Sequence, residues 1–172
     1  VGKTVLRLRE PGGTRLGEAA RALLLDPTTV ACAEAELFGY LMARAQLCHE
    51  VIAPALARGA WVVLDRFWYS TIAYQGYGLG LDAVRVRAAI DLAVGSVRAD
   101  LAVLLRISAS AATHRRTIRA TGDRIESRDA AYHARVEAGY AALVAAGELV
   151  AIDANGTPEE VSERIWVLSG VA

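Results

Sequence analysis

Lysine is almost missing from this sequence. Of 19 basic residues only Lys3 is a lysine, and the other 18 are arginines. A chain that otherwise avoids lysine keeps one inside Gly2-Lys3-Thr4. A compact ammonium suits a tight phosphate cradle better than arginine's wide planar fork, with compositional bias and chance as the rival explanation. Cysteine is scarce too. Cys32 and Cys48 have no CxxC spacing and no nearby histidine pair, which excludes a disulfide framework or a zinc site and predicts reduced, structural thiols in a cytoplasmic protein. No apolar run approaches the ~18 residues of a membrane span, and no signal-peptide pattern is visible. Neither charge sign is in excess, with 19 acidic residues against 19 basic ones. That argues against a surface built to hold a nucleic-acid backbone. There is no internal repeat, linker or low-complexity stretch.

What remains is a globular composition, 54% hydrophobic and 22% charged over 172 residues. It predicts one domain, residues 1–172, able to bury a core without disulfides or metals. Apolar runs at Val5–Arg9, Ala60–Leu64, Leu101–Ile107 and Leu149–Ile152 read as short buried strands. Between them, helical spacing predicts helices over Leu16–Leu25, Glu34–Arg58 (with a kink at Pro54), Trp68–Tyr77, Leu81–Val94, Ser110–Arg119, Asp129–Ala145 and from Pro158 to about Leu168. Thr14 is a candidate N-cap, and Thr157-Pro158 a helix start with proline in the first turn. Strands alternating with helices predict an α/β fold, a doubly wound parallel sheet with helices on both faces. Sites in such sheets form at the carboxyl ends of strands.

Four groups of residues carry candidate chemistry. Gly2-Lys3-Thr4 has the end of a phosphate-binding loop, in which lysine reaches phosphate oxygens and the hydroxyl holds Mg²⁺. Asp65-Arg66 closes a strand; it is either a surface ion pair or a carboxylate near Mg²⁺ beside an arginine that grips a phosphate. Arg115, Arg116, Arg119 and Arg124 surround Thr121-Gly122; they form a solvated face or a closing loop that neutralises phosphate charge. Tyr40 and Arg44, four apart on one helix, meet on one face. They are packing residues, or a ring and a guanidinium that stack on and hydrogen-bond to a base.

In order along the chain, REPGGT (Arg9 to Thr14), Tyr40 followed by RAQ (Arg44 to Gln46), DRxxxS (Asp65 to Ser70), AYQGxG (Ala73 to Gly78) and DRIE (Asp123 to Glu126) resemble the bacterial thymidylate kinase family. The resemblance covers nearly the whole chain. It implies a P-loop nucleoside monophosphate kinase fold that transfers phosphate from ATP, with Mg²⁺, to dTMP in deoxynucleotide synthesis, and a homodimer packed through the long helices of residues 34–58. It implies that Gly2, Lys3 and Thr4, with Arg115 and Arg119, serve the ATP phosphates. Thr4 and Asp65 would serve the metal, and Arg66 the acceptor phosphate. Arg44 would contact the thymine edge, and Tyr40 would stack. Pro11, Ser70, Thr71, Tyr74 and Gln75 would line the deoxynucleotide site. A lid over about residues 115–128 would carry Arg119 and Arg124 as catalytic arginines, ordered by Asp123 and Glu126.

The chain departs from the family pattern at Ala43, Leu79 and Arg106. It also lacks room for the helix that opens at a phosphate loop. That helix would lie between Thr4 and Val5, which predicts that these residues are separated well beyond the about 3.8 Å of bonded neighbours. Two rival functions stay open: a kinase of the same fold with another acceptor, such as a deoxynucleoside, and a nucleotide-binding paralogue impaired in catalysis.

Overall fold

The computed structural model describes residues 2–108 and 123–170. It contains, in order, strand β1 (Val5–Arg9), helix α1 (Arg15–Leu25), helix α2 (Ala33–Leu47), helix α3 (Ala53–Ala57), strand β2 (Trp61–Asp65), helix α4 (Trp68–Thr71), helix α5 (Ala83–Val94), strand β3 (Val103–Arg106), helix α6 (Ala130–Ala145), strand β4 (Val150–Asp153) and helix α7 (Pro158–Ser169). Close contacts group the chain into two compact units, residues 1–98 with 123–139, and residues 99–122 with 140–172. The expected helix over Ser110–Arg119 lies outside the described residues. No described helix is long and apolar enough to cross a membrane.

In the first unit β1 and β2 pair in parallel, from Val5 opposite Trp61 to Arg9 opposite Asp65. In the second, β3 and β4 pair in parallel, from Val103 opposite Val150 to Arg106 opposite Asp153. Among the described residues both strand pairs are thus parallel and joined through helices, the α/β class read from the alternating pattern.

The ladder corrects one expectation at its start. The Trp61 N–H donates to the Thr4 carbonyl at 2.8 Å, one step before the Val5–Trp61 pair. Thr4 therefore runs straight into β1 as the residue before it. The separation expected between Thr4 and Val5 is not there, and no helix follows Gly2-Lys3-Thr4.

The helix expected over Glu34–Arg58 is a continuous helical path with one wide turn. α2 passes through a π-helical turn, Cys48–Ile52, into α3. Pro54 is the cause: it has no N–H to donate, and its ring would strike the carbonyl one turn back in a regular helix. A second wide turn, Ile72–Gly78, extends α4, and there the Leu79 N–H reaches the Tyr74 carbonyl at 3.1 Å. The core of the first unit is built from the inner faces of these helices: Leu47, Ile52, Ala55, Ile72, Ala73, Val86, Ile90 and Val94 are all buried. A smaller cluster of Ala20, Leu24 and Ala43, with Tyr40 against it, joins α1 to α2. In the second unit Leu143, Leu149 and Ala154 are buried.

Candidate functional site

The chain leaves β1 through Glu10-Pro11-Gly12-Gly13 and enters α1 at once. Gly13, at φ 78°, takes a left-handed conformation that side chains resist. At Gly17 a Cβ would lie 2.7 Å from the Gly12 carbonyl, so the helix can turn this closely only with glycine there. The Thr14 hydroxyl caps α1 by accepting from the Gly17 N–H at 2.9 Å. Glu18 accepts from the Gly13 N–H at 2.9 Å and pairs with Arg9. The Gly13 hydrogen bond, with Arg9, holds the Glu18 carboxyl below the ordinary carboxylate range. Arg21 donates to the Pro11 carbonyl at 3.1 Å. The REPGGT stretch is thereby tied down at several points around the mouth of a cleft.

That cleft is open to solvent along one side, and its wall mixes polar and apolar side chains. Pro11, Tyr40, Arg44, Arg66, Ser70, Thr71, Tyr74, Gln75, Asp123 and Glu126 line it, with Glu10, Arg21, Leu25 and Ile125. All ten side chains expected around an acceptor nucleotide therefore share one wall system, within the first unit.

Arg44 is buried, with its side chain 2% exposed. Its Nε and one terminal nitrogen donate to Glu10 at 2.9 and 2.6 Å, and its other terminal nitrogen donates to the Thr71 hydroxyl at 2.7 Å. A guanidinium carries five N–H groups, so donors remain for a ligand. Burial pushes the Glu10 carboxyl up, against the pull of Arg44. Tyr40 is half-buried, and burial pushes its phenol up. Arg66 follows the last residue of β2 at φ 67°, the left-handed region, and its guanidinium lies 5.3 Å from the centre of the Tyr74 ring. The ring of Tyr74 also meets Tyr132 edge-on at 6.4 Å. Asp123 orders its own turn by accepting from the N–H groups of Ile125 and Glu126, both at 2.9 Å.

Other candidate residues are placed away from the cleft. Arg124 does not line the cleft: its guanidinium donates to the Leu24 carbonyl at 2.8 Å and to Glu36 at 2.7 Å. Neighbours in a tight turn point to opposite sides, so Asp123 faces the cleft while Arg124 serves as an anchor. Thr4 and Asp65 cannot share a metal ion. Thr4 precedes the first rung of the ladder and Asp65 sits on the last, which separates them by roughly 16 Å along the strands. For the same reason Gly2, Lys3 and Thr4 lie at the opposite end of the β1–β2 pair from Glu10, Pro11 and Arg66. Asp65 itself is exposed. No cluster of three or more histidine, cysteine or carboxylate side chains suited to a metal occurs among the described residues. Arg115 and Arg119 lie outside the described residues.

Sequence reasoning missed Glu10, Arg21, Glu36 and Arg128. Glu36 is fully buried and takes Arg128 at 2.6 Å as well as Arg124. A signal was present: Glu36, Tyr40 and Arg44 recur at four-residue spacing on α2, as Arg124 and Arg128 do.

The sequence profile described as thymidylate kinase matches residues 1–165. The chain belongs to the thymidylate kinase family. It is 44% identical over 179 residues to the thymidylate kinase of Solidesulfovibrio magneticus, across 98% of this chain and 86% of that one. It is also 44% identical to that of Synechococcus sp. (strain JA-3-3Ab), across 96% and 80%. The crystal structure of thymidylate kinase from Ehrlichia chaffeensis superposes with a TM-score of 0.70 at 27% identity, covering 90% of this chain and 72% of that one. The fold is thus that of a thymidylate kinase. The stretch aligned to the Solidesulfovibrio protein, 179 residues, exceeds the 172 of this chain, so that relative carries residues with no counterpart here.

Proposed function

We propose that this chain phosphorylates dTMP to dTDP with ATP as donor. The single observation that carries the reading is the cleft at the carboxyl ends of β1 and β2, which gathers every side chain the sequence motifs assign to an acceptor nucleotide. Arg66, aimed over Tyr74, grips the acceptor phosphate. Tyr40 and Arg44 take the base by stacking and by hydrogen bonding at its edge. Ser70, Thr71 and Tyr74 hold the sugar side, and Gln75 faces the base from the floor. Asp123 and Glu126 close the cleft. The acceptor phosphate then attacks the γ-phosphorus of ATP in line. Such a transfer asks of the protein mainly alignment and charge neutralisation, and Arg115 and Arg119 would supply charge near the donor. Mg²⁺ shields phosphate charge in such reactions, but Thr4 and Asp65 do not fit one shared ion. The assembly is a homodimer through residues 34–58, for which Phe38 and Met42, one turn apart and 61% and 43% exposed, offer an apolar face. The enzyme works in the cytoplasm.

One observation favours a second reading. Gly2-Lys3-Thr4 enters β1 directly and opens no helix, so the described residues do not build a donor cradle there. A protein of this kind would bind dTMP without transferring phosphate. A coupled assay with ATP and a panel of nucleoside monophosphates, run beside direct dTMP binding, decides. The first reading expects turnover, fastest with dTMP. Binding without turnover would establish the second, and neither binding nor turnover of any acceptor would remove both.

A further inference from the structure

Glu36 is the most deeply buried carboxylate among the described residues, with its side chain 0% exposed, and it does not line the cleft. One oxygen accepts from Arg124 and Arg128, at 2.7 and 2.6 Å. The other accepts from the side-chain nitrogen of Gln75, at 3.0 Å. Gln75 does line the cleft and is itself 2% exposed.

A carboxylate has acceptors only, whereas a carboxamide has a donor end and an acceptor end. Glu36 therefore dictates which way round Gln75 lies. The NH₂ group must face Glu36, and the carbonyl oxygen must face away from it. Among the described residues no donor meets that oxygen, yet it is not an orphan sealed inside the protein. It is the end of Gln75 left for whatever occupies the cleft. We infer that Glu36 is a positioning residue which fixes the polarity of the Gln75 amide, so that the cleft presents an acceptor to the base and selects a pyrimidine bearing a ring N–H. Thymine and uracil carry a donor at N3; cytosine carries a lone pair there, which the Gln75 oxygen would repel. Arg124 and Arg128 hold the other side of the same carboxylate. The turn that brings Asp123 and Glu126 to the cleft is thus keyed to the group that orients Gln75. This rests on the acceptor reading above and adds to it the origin of base choice.

The test is equilibrium binding of dUMP and dCMP, which share the sugar and phosphate and differ at N3 and the 4-substituent. The wild type should prefer dUMP by at least tenfold. Glu36→Gln keeps the shape but brings its own donors, so Gln75 loses its fixed orientation and the preference should fall by at least tenfold. The 4-substituent is read by other groups and cancels in that comparison. Because Glu36 also neutralises two arginines, Glu36→Gln can fail to fold, so two further variants accompany it. The exchange Glu36→Gln with Gln75→Glu conserves net charge and again presents an acceptor to the cleft; it should restore the preference. Gln75→Leu leaves Glu36 paired to both arginines and should lower the preference by as much as Glu36→Gln does. An unchanged dUMP preference in folded Glu36→Gln or in Gln75→Leu overturns the inference while leaving the acceptor reading standing, and an exchange variant that binds both nucleotides equally overturns it too. Binding of neither nucleotide by the wild type removes both.

Discussion

Arg66 is held at φ 67°, where a side chain costs roughly 1–2 kcal/mol relative to the ordinary helical region. Among described non-glycine residues no other has positive φ. Strain of this kind persists where the surroundings impose it, and often at sites. The stacking of its guanidinium on Tyr74 at 5.3 Å aims the group along the cleft wall. Two substitutions separate the backbone from the side chain. Arg66→Gly removes the guanidinium and relieves the strain, whereas Arg66→Ala removes it and keeps the strain. The glycine variant should be the more stable of the two by about 1 kcal/mol in urea unfolding. Both should weaken dTMP binding by at least tenfold. If both bind dTMP as the wild type does, Arg66 only packs on Tyr74 and the acceptor phosphate lies elsewhere. The sequence showed Asp65-Arg66 at a strand end. It could not show the φ of Arg66, because that angle is set by where the chain must go after β2.

Three elements meet on one guanidinium: Arg44 of α2 reaches Glu10 after β1 and Thr71 at the end of α4. Removing one partner of a buried ion pair leaves an uncompensated charge and typically costs 3–5 kcal/mol, while replacing both by apolar residues is often close to neutral. Burial raises the Glu10 carboxyl even with Arg44 beside it, which says that desolvation outweighs the attraction. Glu10→Met should therefore destabilise by about 3–5 kcal/mol. Glu10→Met with Arg44→Met should recover most of that loss while dTMP binding stays lost. A double variant no more stable than the single one would mean that the pair holds these elements together in its own right. Most of the elements were legible. Apolar runs placed all four strands within two residues, and caps at Thr14 and Thr157 marked two helix starts. The wide turns at Cys48–Ile52 and Ile72–Gly78 were not legible, because a π-helical turn changes the hydrogen-bond span without changing residue type; only Pro54 hinted at one. In the cleft, short motifs named the wall residues. The buried carboxylates behind the wall, Glu10 and Glu36, escaped because a polar residue on a helix or at a strand end reads as solvent-facing until its arginine partners, distant in sequence, are brought to it.

Across the first unit three buried or half-buried groups share one electrostatic tendency. Burial pushes the Cys48 thiol up to about 11 from 9.0 and the Tyr132 phenol up to about 12 from 10.0, and it moves the Tyr40 phenol upward as well. Each is neutral when protonated, so the folded state holds these protons more tightly than the unfolded state does. The unfolded chain therefore binds fewer protons above pH 9, and stability falls with rising pH wherever that is so. Their contribution is fully present below the unfolded values of 9.0 and 10.0 and is lost as the pH rises through the folded ones. The melting temperature should be level as neutral pH is raised to about 9 and then fall progressively. The first part of the fall belongs to Cys48, because its unfolded value is the lowest of the three. Cys48→Ala should remove the slope between 9.0 and 10.0 and leave the later fall in place, whatever it does to the melting temperature itself. Thiol labelling gives an independent view of the same group. Cys32 is exposed and Cys48 is buried, so a thiol reagent at neutral pH should modify Cys32 promptly and reach Cys48 only at the rate of opening. Equal labelling of both thiols in the folded protein, together with a melting temperature that is flat through pH 9–11, would show that the α2 region does not exclude water from Cys48 and that its proton is held no more tightly than in the unfolded chain.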